Sequence, residues 1–131
     1  MPRLSVSLTF ALALSACSAD LDRDELREHA EALRSACAEA RLLLDVKAKG
    51  VPDAYVRAHA EALADQAAEL LGKLSHRPAA PGLEEAQRAS VAVALELTAA
   101  LRPLTRGQAP AGAREALRSL EARSGKVVEG L

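Results

Sequence analysis

Aromatic side chains are almost missing from these 131 residues: there is no tryptophan, one tyrosine (Tyr55) and one phenylalanine (Phe10). Without them the chain has no stacking platform for bases or sugars, and few of the rigid anchors that concentrate affinity at tight interfaces. Formal net charge is −1, so no basic excess points to nucleic acid. A membrane span is also missing. The apolar run from Leu4 to Leu14 is interrupted by Ser5, Ser7 and Thr9, and a spanning helix needs about 20 apolar residues.

The signatures of site chemistry are missing as well. There is no Cys-x-x-Cys-His for covalent haem, and Met1 is the only methionine. No Glu-x-x-His occurs, so the paired motif of di-metal carboxylate bundles is excluded. No Gly-rich phosphate loop, Ser-His-Asp arrangement or paired-carboxylate cleft is suggested. Neither enzyme activity nor a cofactor is expected.

The amino terminus carries the most specific signal. Arg3 precedes the apolar run, which ends in Leu14-Ser15-Ala16-Cys17. A short apolar segment behind a cation and before small residues has the proportions of an export signal. These residues resemble the signal peptide and lipobox of bacterial lipoproteins: Leu, then Ser or Ala, then a small residue, then Cys. The resemblance implies export, cleavage before Cys17 and lipidation of Cys17. Residues 1–16 would be the signal and 17–19 a lipidated end with a very short tether. Acyl chains contribute about 0.8 kcal/mol per buried methylene, so such an anchor is effectively permanent. Ser18, rather than Asp, after the lipidated Cys favours the outer membrane in the sorting rule of enteric bacteria. The expected location is the cell envelope, at the outer membrane facing the periplasm.

What is left after residue 16 has the size of one small domain. It holds 16 basic and 18 acidic residues, and Ala and Leu dominate it, which favours helix. Four stretches carry apolar residues at alternating spacings of four and three. The first is Leu26, Ala30, Leu33, Cys37, Ala40 and Leu44. The second is Val56, Ala60, Leu63, Ala67, Leu70 and Leu74. The third is Ser90, Ala94, Leu97 and Leu101, with Leu83 and Gln87 extending it backwards. The fourth is Ala113, Leu117, Leu120, Ser124, Val127 and Leu131.

Between these stretches stand Gly50 and Pro52, the Pro-rich turn from Ser75 to Gly82, and a segment from Pro103 to Pro110. Such breakers mark helix ends, and short connections force antiparallel neighbours. The pattern predicts an all-α fold over 20–131: an up-down-up-down antiparallel four-helix bundle, monomeric, with helices near 20–49, 52–75, 82–103 and 110–128. In that topology Asp20, Asp22, Asp24 and Glu25 would face Arg118, Arg123 and Lys126, and Tyr55 would cover one end.

Few residues remain as candidates for a site. His29 and His59 differ by about 20 Å in height along the bundle at 1.5 Å per residue, so they cannot share an iron. His76 returns to within about 6 Å of the level of His29. With Glu25 these two histidines form a weak candidate zinc or copper set. Cys37 sits on the first seam, where a free thiol acts as a small hydrophobe. The favoured function is a non-catalytic interaction or structural module, with membrane lipid and an envelope protein as partners. Periplasmic metal or small-ligand binding is the alternative. A docking module should expose an apolar stripe that the bundle does not use. Leu42 and Leu43 are the candidates, because three adjacent leucines cannot all face one seam with Leu44.

Overall fold

Asp22 starts the first helix. Its side chain accepts the Glu25 amide at 2.9 Å, and the Glu25 carboxylate accepts the Asp22 amide at 3.2 Å. This capping box satisfies two amides that a helix start leaves unpaired. It fixes the beginning of α1 (Arg23–Ala48) three residues later than the periodicity suggests. At the other end Gly50 takes φ +90°, a conformation that glycine adopts without a Cβ penalty. The Gly50 amide then donates to Lys47 and the Val51 amide to Val46, a Schellman ending.

In this computed structural model, which describes residues 19–131, three more helices follow: α2 (Asp53–Ser75), α3 (Glu84–Leu104) and α4 (Ala113–Gly130). The expected signal peptide, the lipobox and Cys17 lie outside the described residues. Pro52 stands just before α2 rather than in its first turn. Pro103 falls in the last turn of α3, where its missing N–H weakens the ladder, and the helix stops one residue later. Among the described residues no helix is long and apolar enough to cross a membrane.

The helices form the expected antiparallel four-helix bundle. All six seam residues of α1 and all six of α2 are buried. In α3 the seam buries Leu83, Ser90, Ala94, Leu97 and Leu101, and in α4 Leu117, Leu120 and Ser124. Around the ring α1 packs most extensively on α4, and α2 on α3. Across it α1 touches α3, whereas α2 and α4 do not meet. Stripe width explains this rhombic section. α1 buries Ala36 and Leu43 beyond its seam, and α3 adds Val93 and Leu104, while α2 buries its seam alone. The wider stripes turn inward, and α1 and α3 meet across the core.

The expected charge pairing between α1 and α4 does not form. Among the described residues no ion pair joins Asp20, Asp22, Asp24 or Glu25 to Arg118, Arg123 or Lys126. Asp22 is occupied as a cap and Glu25 pairs with Arg77, while Arg118 pairs with Glu115 and Arg123 with Glu96. Capping engages Asp22, and the α2–α3 turn supplies the partner of Glu25. The α1–α4 seam is tied instead by Arg41–Glu121, by Arg114–Asp45, and by Arg23 and Arg27 donating to the Leu131 and Val128 carbonyls.

Candidate functional site

The lower end of the bundle gathers the start of α1, the α2–α3 turn and the end of α4. Here the chain before α1 is strapped to the turn. The Leu21 amide donates to Pro78 at 2.9 Å, and the Ala80 amide donates to the Leu21 carbonyl at 3.0 Å. The Leu21 side chain is fully buried beneath. Arg77 reaches back to the Ala19 carbonyl at 3.0 Å and to Glu25 at 2.8 Å. Gln87 clamps the turn from inside. Its amide donates to the Leu74 and Arg77 carbonyls at 2.8 and 2.7 Å, and its oxygen accepts the Ala79 amide at 3.2 Å. A glutamine at a seam position beside a Pro-rich turn was the one sequence signal for this clamp. Nothing local marked Leu21 or Arg77.

The three weak metal candidates do not converge. Both oxygens of Glu25 are engaged, one by Arg77 and one by the Asp22 amide. The Arg77 hydrogen bond, then the Asp22 amide, hold its carboxyl below the ordinary range. His29 lies in a shallow cleft with Glu28, Gln66, Glu69 and Lys73 between α1 and α2. His76 is exposed where α2 ends. Among the described residues no group of three or more His, Cys, Asp or Glu side chains is arranged to hold a metal ion.

Cys37 is fully buried in the core, as its seam position implied. Desolvation, with the nearby Glu121 charge second, pushes its thiol up to about 12. A thiolate is the reactive form, so this cysteine is built for packing and not for chemistry.

The surface feature that packing leaves unexplained lies higher up, between α1 and α2. Leu42 is 60% exposed, whereas Leu43 and Leu44 are 5% and 7% exposed. Two of the three leucines turn inward and Leu42 is left outside. It lines a groove of about 190 Å³ with Leu43, Val46, Tyr55, His59, Leu63 and Glu39. Tyr55 is half-exposed here and does not cover the bundle end; its ring packs on His59, centroids 4.4 Å apart. Successive turns of α2 bring them together, since residues four apart share a helix face. Leu95, on α3, is a third exposed large apolar side chain.

A larger cleft, about 540 Å³, opens at the lower end between α3 and α4. Two of its three cations are already taken, Arg23 by the Leu131 carbonyl and Arg123 by Glu96. Comparison with known proteins finds no matching family model, no matching curated protein and no matching solved structure.

Proposed function

We propose that this protein is a lipid-anchored module of the cell envelope that docks a partner protein and performs no catalysis. The anchor reading rests on Leu14-Ser15-Ala16-Cys17. The observation that carries the docking reading is Leu42, exposed in an apolar groove beside Tyr55 while its two neighbours are buried. Hydrophobic residues scattered singly need no explanation; what supports the docking reading is that Leu42, Val46 and Tyr55 share one groove between two helices.

The strap supports a definite orientation. Ala19 is held by Arg77, and one extended residue spans about 3.5 Å. A lipid on Cys17 would therefore keep the lower end within about 10 Å of the bilayer face. The groove would look out toward the periplasm from the upper half. The metal-binding alternative has no comparable support, because Arg77 and the Asp22 amide occupy Glu25.

Two measurements on the full chain in cells test this reading. An alkyne fatty acid should label the wild type and not Cys17→Ser; equal labelling of both would remove the anchor. A photo-crosslinking residue at position 42 should give a discrete adduct that disappears with Tyr55→Asp, while the same residue at position 95 should give none. Equal adducts from both positions would mean that the groove is ordinary surface.

A further inference from the structure

The two ends of the bundle carry opposite charge. The upper end, formed by residues 45–57 and 102–114, holds six basic and two acidic side chains. Both acids are already paired, Asp53 with Lys47 and Asp45 with Arg114. That leaves Lys49, Arg57, Arg102 and Arg106, all exposed, with no ion-pair partner among the described residues. The lower end is acidic: residues 19–25, 76–85 and 126–131 hold seven acids and three Lys or Arg. The arginines of the upper end stand in or beside two connections that only the fold brings together, Arg57 in the first turn or two of α2, Arg102 at the end of α3, Arg106 in the α3–α4 connection and Arg114 at the start of α4. Gly107, beside Arg106, lies close to Asp53 and Arg57 at the start of α2.

The apolar groove runs up to this crown of cations. Leu42 and Val46 follow one another at helical spacing along one face of α1, and Lys49, the cap residue just past its end, comes three residues after Val46. We propose that the upper end of the bundle binds an acidic polypeptide segment, which places an apolar side chain in the α1–α2 groove against Leu42 and Tyr55. This inference names the chemistry of the partner in the docking reading above and rests on that reading.

Charge complementarity selects the occupant. Four unpaired cations at one end attract an anionic partner and set its orientation. A flat anionic bilayer could meet the tip, but Leu42 lies about 9 Å below the end of α1, on the flank, where a plane does not reach. A nucleic acid would find one half-exposed aromatic ring among the described residues, Tyr55, packed on His59, and no series of rings on which successive bases could stack. A flexible acidic peptide can cross the tip and enter the groove.

The test uses the full chain reconstituted in phosphatidylcholine liposomes, checked by flotation. The probe is a fluorescein-labelled oligoglutamate peptide with one central leucine. Binding should weaken about tenfold or more in the double variant Arg102→Glu, Arg106→Glu. It should weaken as salt rises past the range where exposed charges are screened. Removing the leucine from the probe, or introducing Leu42→Asp, should each weaken it about tenfold, and Leu95→Asp should leave it unchanged.

Equal binding by the wild type and the arginine variant would overturn the inference. So would clustering of added phosphatidylglycerol vesicles without peptide binding, which would make the crown a lipid contact. A chain that fails to float removes the anchor reading only, and the same peptide titration on the free chain still decides the charge inference. Loss of peptide binding with the position 42 adduct retained in cells would refute the acidic partner and leave the docking reading standing.

Discussion

Leu21 and Ala79, 58 positions apart in the chain, lie side by side in a single parallel bridge, and Arg77 donates to the Ala19 carbonyl next to it. The bridge joins the chain before α1 to the α2–α3 turn and seals the lower end of the core with one leucine. Two helical hairpins are thereby tied at the end where the expected lipid would attach.

Leu21→Ala should therefore destabilise like a core change, although Leu21 lies outside every helix. A fully buried leucine cut to alanine costs about 2–5 kcal/mol. Urea unfolding measures the loss, and hydrogen exchange should show the Ala80 amide losing protection first. A change within the error of the midpoint would show that the strap closes nothing.

The Arg77–Glu25 contact predicts a pH effect with a definite sign. The folded carboxyl titrates below its ordinary 4.5, chiefly because Arg77 donates to it. Its contribution is present above 4.5 and is lost as pH falls through the lower, folded value. Carboxyl carbon chemical shifts should place the Glu25 midpoint below 4.5, and Arg77→Ala should move it upward. An unmoved midpoint would assign the shift to the Asp22 amide instead.

Cys37 should react slowly with thiol reagents in the native protein and quickly in denaturant. Cys37→Ala removes one sulfur from the core and should cost about 1 kcal/mol. The raised thiol pKa gives a second signature. Between 9.0 and about 12 the unfolded chain releases the proton and the folded chain keeps it, so wild-type stability falls as pH rises. The alanine variant lacks that term, and its disadvantage should shrink in alkaline buffer. A constant difference from neutral to alkaline pH would contradict this assignment.

Ser124 offers a stabilising substitution. Its hydroxyl is buried without a hydrogen-bond partner among the described residues, whereas the hydroxyl of the buried Ser90 donates to Ala86 at 2.9 Å. Ser124→Ala should raise stability by about 1 kcal/mol, the low end for an unsatisfied buried group. Ser90→Ala should be close to neutral. Thermal midpoints of the two variants compare the sites directly, and a loss at Ser124 would reveal a partner for its hydroxyl.

The three leucines at the top of α1 should behave differently despite being neighbours. Leu43→Ala should cost about 2–5 kcal/mol. Leu42→Ala should stay within about 0.5 kcal/mol, as exposed positions do. Comparable losses would mean that Leu42 is packed in solution and that the groove is closed.

Periodicity alone was enough for the fold class and for most of the core. The 4-3 spacing repeats once every two turns, so Leu26 to Leu44 and Val56 to Leu74 could be assigned to one face each without knowing what lay opposite. Burial of Cys37 followed from the same arithmetic. Packing settled the contacts between distant segments. Arg77 pairs with Glu25 across 52 positions, and Leu21 with Ala79, because closing the ring brings the α2–α3 turn beside the start of α1. The charges that sequence had set against each other across α1 and α4 were claimed by nearer partners, Asp22 by its own helix and Arg123 by Glu96. It also decided that Leu42 faces water and Leu43 does not, and that Arg57 and Arg106 share one end. Periodicity is a local property of a single helix, whereas a surface is assembled from several helices, and its composition exists only once they have packed.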